Sequence, residues 1–385
     1  MGGSKHSQKQ GQTSHMKLNI ERSALLRSLG HVQSVVERRN TIPILSNVLI
    51  AAESNSLSLT ATDLDLSIVE NIETDIAEAG GTTVPAQTLF DIVRKLPEGS
   101  DVELEIGEDP RLSLKAGRSK FTLACLPRED FPVMSGGDLP HKFSVSASEL
   151  RRLIDKTRFA ISTEETRYYL NGIYLHVADG DAPCLRAVAT DGHRLAQVET
   201  ALPDGATGMP GVIVPRKAVG ELRKLIDEVV DDIEVSLSDT KIRFAFGGIT
   251  LITKLIDGTF PDYTRVIPEG NEKVLEADCH MLAEAVDRVS TISTDRTRSV
   301  KLNIEDGKIT LSVNSPENGT ATEEVAVSYS ADVMEIGFNA RYLLDILSQI
   351  EGDTVKAELA DGASPTILRD SEDTQALYVL MPMRV

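Results

Sequence analysis

The chain has 385 residues, 41% of them hydrophobic and 26% charged, which is typical of a soluble globular protein with two or three domains. Its formal net charge of −19 excludes a surface that is basic overall, the usual basis of nucleic-acid binding. No stretch approaches the roughly 20 consecutive apolar residues of a membrane span, so we expect no membrane partner and a cytoplasmic location.

The first residues differ from the rest of the chain. Residues 1–15 are polar and aperiodic, and they contain neither the apolar core nor the cleavage site of a signal peptide. We interpret them as an expression tag or a disordered extension, and we expect Met16 to be the natural start.

A repeated pattern organises the chain after Met16. Three segments of a first copy match three segments of a second copy in the same order, at offsets of 128 to 130 residues. The matched pairs are 57–67 with 185–196, 83–106 with 213–237, and 123–132 with 253–263. A more diverged third copy runs through 309–321, 336–359 and 378–385.

The repeat predicts three domains rather than a solenoid, because a unit of about 125 residues can hold its own core. Irregular joints are expected near 134–140 and 267–273, where glycine, proline and charged residues cluster. The predicted domains are 16–138, 139–269 and 270–385.

Each copy contains two segments with apolar residues at helical spacing, as in Leu25, Leu29, Val32 and Val36. The predicted helices are 21–39, 86–96, 148–160, 216–229, 278–293 and 340–350.

The polar residues Ser146 and Glu149 predict a capping box for the third helix. Alternating stretches such as 57–69 and 242–256 predict antiparallel strands. The predicted fold class is α+β: three repeated domains, each with two helices packed on antiparallel sheets.

No motif indicates catalysis, a metal site or a cofactor. Cys125, Cys184 and Cys279 lie 59 and 95 positions apart, which fits neither a zinc site nor a disulfide framework. We therefore expect reduced, structural thiols. The HExxH, G-x-S-x-G, P-loop and G-x-G-x-x-G motifs are all absent.

Charge is unevenly distributed along the chain. The six predicted helices hold 16 Lys and Arg against 12 Asp and Glu, whereas the remainder holds 24 against 47. One interpretation is that Lys and Arg simply cover solvated helix faces. The other is that the helices present a weakly positive surface that contacts phosphates without reading bases.

Five internal motifs and the C-terminal segment carry a family resemblance. They are RYYLNGI (167–173), VATDGHRLA (188–196), VIVPRKAV (212–219), KLIDGTFPDYTRV (254–266), EIGFNARYLLDIL (335–347) and YVLMPMRV (378–385). Together, and in this order, they closely resemble the bacterial DNA polymerase III β subunit, the sliding clamp. The resemblance extends from Met16 to Val385 without a large gap.

The resemblance implies a non-enzymatic processivity factor with no cofactor and no metal. Its protomers would form a closed head-to-tail homodimer in which twelve helices line a hole around duplex DNA, bound without sequence specificity. The implied partners are the replicative polymerase α subunit, the clamp-loader complex, and other DNA polymerases and repair proteins that carry clamp-binding peptides.

The resemblance also implies three sets of site residues. The DNA-facing candidates are Arg39, Tyr168, Tyr169, Arg216 and Lys217, although the sequence pattern alone favours core positions for the two tyrosines. The dimer candidates are Arg118, Lys120, Phe121, Leu123, Thr291 and Ile292, with Glu323 or Glu324 as acidic partners for the two basic residues. The peptide-groove candidates are Leu170, Thr190, Gly192, His193, Arg194, Leu195, Pro261, Arg265, Val266, Asn339, Tyr342, Val379, Leu380, Met381, Pro382, Met383 and Arg384.

The TDGHR segment, residues 190–194, has competing interpretations. It is a tight turn in the wall of a peptide groove, or His193 and Asp191 are catalytic residues of a hydrolase. A third alternative is an interaction scaffold that uses the groove but never encircles DNA. Two positions depart from the family pattern: Thr297 replaces a frequent aromatic residue at the groove, and Pro365 is expected near its rim.

Overall fold

A computed structural model describes residues 15–37, 41–293 and 299–384, and within these ranges it contains six α-helices and 25 β-strands. The first copy of the repeat holds helices α1 (Arg22–Gln33) and α2 (Ala86–Lys95). Its strands are β1 (Met16–Glu21), β2 (Asn47–Glu53), β3 (Ser56–Thr62), β4 (Leu66–Glu73), β5 (Ile76–Glu78), β6 (Gly80–Pro85), β7 (Asp101–Ile106), β8 (Arg111–Ala116) and β9 (Ser119–Ala124).

The second copy holds α3 (Ala147–Asp155) and α4 (Arg216–Leu225). Its strands are β10 (His141–Ser146), β11 (Gly172–Ala178), β12 (Cys184–Thr190), β13 (Arg194–Ala201), β14 (Val212–Pro215), β15 (Asp232–Leu237), β16 (Lys241–Phe246) and β17 (Ile249–Lys254).

The third copy holds α5 (Cys279–Ser290) and α6 (Ala340–Leu347). Its strands are β18 (Lys273–Asp278), β19 (Ser299–Glu305), β20 (Lys308–Ser315), β21 (Gly319–Ala326), β22 (Met334–Asn339), β23 (Thr354–Leu359), β24 (Thr366–Asp370) and β25 (Ala376–Leu380).

The order of elements confirms the repeat and the α+β class. Each copy runs strand, helix, four strands, helix, three strands, and the first copy adds only the short β5. All six predicted helices are present, and each is shorter than predicted. The first ends at Gln33, because Val35 and Val36 donate to carbonyls three residues back and tighten the chain into a turn. Apolar spacing alone does not reveal where a helix ends.

The predicted capping box forms only in part. Ser146 Oγ accepts from the amide of Glu149 at 3.2 Å, as predicted. The Glu149 carboxylate instead accepts a hydrogen bond from the hydroxyl of Thr200, on β13. A tertiary partner therefore replaces the reciprocal half of the motif.

Two of the sheets combine strands from neighbouring copies, and we call the strands that one copy contributes a half-sheet. The first copy contributes β4-β3-β2-β6, and β4 pairs antiparallel with β17, the edge of β15-β16-β17. The second copy contributes β14-β11-β12-β13, and β13 pairs antiparallel with β25 of β25-β24-β23-β18. Two further sheets, β5-β1-β7-β8-β9 and β21-β20-β19-β22, contain strands of a single copy.

The described residues form two compact units whose boundaries differ from those of the sequence repeat. One unit joins 233–236 and 241–254 to the first copy, and the other contains most of the second copy and the whole third copy. Because β4 pairs with β17, the last strands of the second copy pack with the first unit. In both units the helices bury their apolar faces against sheets, with Leu25, Leu29 and Leu150 among the buried residues.

Cysteine usage agrees with the prediction of free thiols. Cys125 and Cys184 are half-buried and Cys279 is buried, and all three are unpaired. Burial raises the pKa of the Cys279 thiol to about 11, so it is protonated at neutral pH. Across the described ranges we find no cluster of His, Cys, Asp and Glu that could hold a metal ion. Nor is any helix there long and apolar enough to cross a membrane.

Two arginines satisfy carbonyl groups at the ends of neighbouring helices. Arg22 on α1 donates to the carbonyls of Val93 (3.1 Å) and Arg94 (2.7 Å) in the last turn of α2. Arg151 on α3 donates to the carbonyls of Ile226 (2.6 Å) and Val229 (2.7 Å), just after α4. Each guanidinium also complements the negative end of a helix dipole.

We expect Arg22→Met and Arg151→Met each to lower the free energy of unfolding by about 1–2 kcal/mol, because the helix-terminal carbonyls lose their partners. Urea unfolding followed by circular dichroism measures the change. Arg27→Met, at an exposed arginine on α1, is the control and should change stability by less than about 0.5 kcal/mol. Equal effects of all three substitutions would contradict the capping role.

Candidate functional site

The TDGHR turn connects β12 to β13 and is held by its own side chains. Thr190 Oγ1 donates to the carbonyl of Arg194 (2.7 Å) and accepts from the amide of Gly192 (3.1 Å). Asp191 Oδ1 accepts from the amides of His193 (2.9 Å) and Arg194 (3.1 Å). Gly192 has a φ of +89°, which favours glycine. Thr190, Asp191 and Gly192 are therefore explained by the conformation of the turn.

A turn with the same hydrogen bonds occurs in the first copy, between β3 and β4. Thr62 Oγ1 donates to the carbonyl of Leu66 (2.9 Å) and accepts from the amide of Leu64 (3.1 Å). Asp63 Oδ1 accepts from the amides of Asp65 (3.0 Å) and Leu66 (2.7 Å). This turn forms with no histidine or arginine, so the Thr-Asp pair has a structural role in both copies.

Arg194 lies inside the protein, with its side chain only 9% exposed. Its Nε pairs with Asp191 Oδ2 (3.1 Å), Nη1 pairs with Asp345 of α6, and Nη2 donates to the carbonyl of Phe159 (2.8 Å). The guanidinium carbon lies 4.3 Å from the ring centroid of Tyr342 and 5.2 Å from that of Phe159. The guanidinium of this groove candidate therefore has internal partners.

His193, by contrast, is exposed and packs against α6. Its imidazole stacks on Tyr342 with a centroid distance of 6.1 Å and an interplanar angle of 29°. Asn339 caps α6, because its side chain accepts from the amides of Arg341 and Tyr342. The predicted residues His193, Asn339 and Tyr342 are thus brought together by the start of α6.

Backbone pairing fixes the C-terminal segment beside the TDGHR turn. In the ladder between β13 and β25, Arg194 lies opposite Leu380. The Met381 amide then donates to the carbonyl of His193 (3.0 Å), and the Met383 amide donates to the carbonyl of Gly337 (2.7 Å). The tail is therefore held by the turn on one side and by β22 on the other.

The groove candidates divide into a buried floor and an accessible wall. The buried members are Leu170, Thr190, Arg194, Leu195, Val379 and Leu380. The half-buried members are Asn339, Tyr342, Pro382 and Met383. The exposed members are Gly192, His193, Pro261, Arg265, Val266, Met381 and Arg384. Val266 and Met381 are 48% and 37% exposed, so apolar surface remains available for a ligand.

Three residues of the floor belong to one hydrophobic cluster, in which Leu170, Leu195 and Val379 pack with Phe260 and Tyr263. The last two residues flank Pro261 and precede Arg265 and Val266. The cluster therefore places the 260–266 segment beside the turn and the tail. Pro365 is half-buried before β24, where its carbonyl accepts from Asn271, and Thr297 lies outside the described residues.

A polar network adjoins this cluster at Tyr263. His176 Nδ1 is 3.0 Å from the Val177 carbonyl, and Nε2 is 2.8 Å from the Tyr263 hydroxyl. Because a carbonyl only accepts, Nδ1 carries the proton and Nε2 of the neutral ring accepts from Tyr263. Arg186 in turn donates to the Tyr263 oxygen (2.8 Å) and pairs with Glu199. Burial lowers the pKa of His176 and favours this neutral form.

Four of the five DNA-facing candidates lie on adjoining segments, which we call the aromatic–basic patch: Tyr168, Tyr169, Arg216 and Lys217. The Arg216 amide at the start of α4 donates to the carbonyl of Asn171 (2.9 Å), two residues after Tyr169. Tyr168 is 53% exposed, whereas Tyr169 is half-buried against the hydrophobic cluster. The core expectation thus fits Tyr169 better than Tyr168. Arg39 lies outside the described residues.

The dimer candidates lie on or beside two sheet edges. Phe121 and Leu123 are half-buried on β9, and Arg118 and Lys120 are exposed at or beside its start. Thr291 and Ile292 follow α5, and the Ile292 carbonyl accepts from Asn318, just before β21. The two proposed acidic partners are already paired within the chain, Glu323 with Arg288 (2.6 Å) and Glu324 with Lys308 (3.2 Å).

Comparison with known proteins decides the family. The models of the N-terminal, central and C-terminal domains of the DNA polymerase III beta subunit match residues 16–135, 144–262 and 264–384. The chain belongs to the DNA polymerase III beta subunit family. Its function is accordingly that of a processivity clamp in DNA replication.

Relatives match this clamp along their whole length. The beta sliding clamp of Caulobacter vibrioides NA1000 is 57% identical over 372 residues, covering 96% of this chain and 100% of the relative. That of Pseudomonas aeruginosa PAO1 is 42% identical over 371 residues, with the same coverage.

Solved clamps show the same likeness. The clamp of Bartonella birtlesii bound to griselimycin has a TM-score of 0.94 at 53% identity, with 96% of this chain and 100% of that chain covered. A Caulobacter crescentus clamp has a TM-score of 0.95 at 56% identity, with 97% and 100% covered. The predicted family and fold class are therefore confirmed.

Residues near the clamp's proposed groove include several that sequence patterns did not indicate. A Cβ on Gly192 would lie 2.7 Å from Arg167 Nη1, so the Arg167 side chain rests against the turn. Asp345 and Phe159 hold Arg194. Asp345 lies within a motif that carried the resemblance, but its contact with Arg194 joins residues 151 positions apart. Only the folded chain shows that proximity.

The buried His176 predicts a pH dependence of stability. Its pKa is lowered in the folded protein, whereas a histidine in the unfolded chain has a pKa of about 6.5. As the pH falls below about 6.5, the unfolded state binds a proton before the folded state does, so the free energy of unfolding decreases. We expect His176→Gln to reduce this decrease between about pH 7 and pH 5.

Urea unfolding at several pH values, compared between the two proteins, measures the difference. Parallel pH curves for the unsubstituted protein and His176→Gln would show that His176 does not contribute.

Proposed function

We propose that this processivity clamp acts as a head-to-tail homodimer that encircles duplex DNA and binds peptides of DNA-processing proteins in the groove. The observation that carries the proposal is that, among the strands of the described residues, β9 and β21 each lie at the edge of a sheet. Both edges are the counterparts of strands that pair elsewhere in the same chain.

The pairing rule of the repeat predicts what completes these edges. Within the chain, β4 of the first copy pairs with β17 of the second, and β13 of the second copy pairs with β25 of the third. By the same rule, β21 of the third copy requires the counterpart of β17 and β25, which is β9 of a first copy. Supplied by a second chain, this pairing is heterologous and closes a ring when the rotation closes.

The residues on these edges support strand pairing between protomers. Phe121 and Leu123 offer apolar side chains on β9, next to Thr291 and Ile292 of the partner in the proposed arrangement. Arg118 and Lys120 would share Glu323 and Glu324 with their internal partners. We also retain the three domains 16–138, 139–269 and 270–385, which the extents of the family matches support.

We propose that the aromatic–basic patch and the helices contact phosphates. As bounded in the structure, the six helices carry 12 Lys and Arg against 7 Asp and Glu, in a chain with a net charge of −19. Such a surface binds DNA weakly and in a salt-dependent manner. A closed ring holds DNA topologically, so weak contacts are compatible with sliding.

We further propose that the chain is not an enzyme and acts in the cytoplasm. Asp191 is committed to the backbone of its turn, and a turn with the same bonds forms in the first copy without histidine. Its peptide-bearing partners would be the replicative polymerase α subunit, other polymerases, repair proteins and the clamp loader. Exposed Val266, Met381 and His193, over an apolar floor, provide the binding surface.

Retention on DNA tests the ring. We expect a clamp loaded by its clamp-loader ATPase to remain on nicked circular DNA and to be lost once that DNA is linearised. Gel filtration of the DNA–protein complex measures retention. Equal loss from circular and linear DNA would contradict encirclement and favour a scaffold.

A substitution on β9 tests whether retention of the clamp on circular DNA requires the dimer. Phe121→Asp should weaken dimerisation by at least about thirtyfold, because a charge would face the apolar side of the paired strand. Analytical ultracentrifugation measures the dimer, and the variant should also be lost from circular DNA. Val230→Asp, which adds the same charge at an 88% exposed valine after α4, should stay dimeric and retained.

Truncation of the tail tests the groove. Deleting residues 381–385 should weaken binding of a labelled peptide from the polymerase α subunit by at least about tenfold, because a groove wall and its methionines are lost. Fluorescence anisotropy measures the affinity. The dimer should persist, since β9 and β21 are untouched.

A matched pair of valines controls for general loss of apolar surface. Val266→Ser, within the groove, should weaken the peptide by about fivefold, whereas Val333→Ser, at a 66% exposed valine elsewhere, should not. Unchanged affinity in the truncated protein would refute the site.

A further inference from the structure

We infer that Asp345 of α6 is a positioning residue for peptide binding, acting through Arg194 on the groove residues His193 and Tyr342. The inference rests on the proposed peptide-binding function of the groove. Asp345 would not contact the peptide. It would hold His193 and Tyr342 in the positions in which they bind the peptide.

Helix α6 carries Asp345 beside two groove candidates. Asn339, Tyr342 and Asp345 are spaced three residues apart, so the cap, the ring and the carboxylate lie on one face of the helix. Asn339 and Tyr342 are groove candidates, and the next position along that face carries the charge that binds Arg194. Fixing Asp345 therefore fixes the face that contributes to the groove.

Arg194 connects the TDGHR turn to α6. The Arg194 guanidinium joins Asp191 of the turn to Asp345 of α6, and it donates to the Phe159 carbonyl behind them. The same guanidinium lies 4.3 Å from the Tyr342 ring, on which the neighbouring His193 stacks. A change at Asp345 is thus transmitted to both groove residues through one buried group.

Loss of the Asp345 carboxylate should have a limited cost in folding free energy. The Asp345 side chain is 34% exposed, so its loss leaves a site that water can reach. Arg194, at 9% exposed, retains Asp191 and the Phe159 carbonyl, which limits the cost to folding. What is lost is the link between the turn and the helix, and substitutions of residues that share one charged network do not have additive effects.

The experiment measures the affinity of the labelled polymerase α peptide for the full-length dimer carrying Asp345→Asn. We expect binding about tenfold weaker, with the dimer intact, and recovery of most of the affinity in Asp345→Glu. His193→Ala should weaken binding on its own. If Asp345 acts through His193 and Tyr342, the double variant should bind within about twofold of the weaker single variant.

A second ion pair between the same two copies provides the control. Arg152 binds both carboxylate oxygens of Asp373 at 2.9 Å, but neither residue is a groove candidate. Asp373→Asn should lower the urea midpoint at least as much as Asp345→Asn while leaving peptide affinity unchanged. This separates positioning from general stability.

The outcomes distinguish this inference from the proposed function. Peptide affinity unchanged in Asp345→Asn, or equally weakened in Asp373→Asn, overturns the positioning role even if the tail truncation abolishes binding. Strictly additive losses in the double variant overturn it as well. If the unsubstituted dimer binds no peptide, or the truncation has no effect, the proposed groove fails and the inference fails with it.

Discussion

The architecture depends on the unsatisfied backbone edge that each half-sheet presents. A strand at the edge of a sheet exposes amide and carbonyl groups that pair with another strand when one is available. Here β4 is satisfied by β17 and β13 by β25, in two antiparallel ladders that join consecutive copies of the repeat. Because β4 and β13 each pair with a strand of the next copy, their counterpart β21 and the counterpart of their partners, β9, remain at sheet edges within the described residues.

The same constraint explains the two Thr-Asp turns. Each turn lies where a half-sheet ends beside the incoming strand, and each must satisfy its own amides while leaving one carbonyl outward. That carbonyl belongs to Asp65 in the first copy and to His193 in the second, and it accepts from the amides of Lys254 and Met381 respectively. Threonine and aspartate supply the internal bonds, so the remaining turn positions are free to differ between copies.

The repeat, the six helices and the fold class could be predicted because they depend on periodic apolar residues, a local property of the sequence. The ends of helices could not, since α1 stops at Gln33 although apolar spacing continues to Val36. The groove positions were predicted by resemblance, but the internal partners of Arg194 were not predicted. Its ion pair with Asp345 bridges 151 positions, and no local pattern distinguishes a buried arginine with internal partners from one that faces a ligand.

The two equivalent junctions then show why a groove would develop at only one of them. At the first, Lys254 Nζ pairs with Asp65 Oδ1 at 2.9 Å, so the strand and the turn that meet there present a closed ion pair. At the second, the corresponding residues are Met381 and His193, a thioether and an imidazole that leave apolar surface exposed. A peptide with apolar side chains gains by covering the second surface, whereas at the first it would have to desolvate two charges. Identical backbone pairing thus supports different surfaces, and two side-chain positions distinguish the junction of the proposed groove from the other.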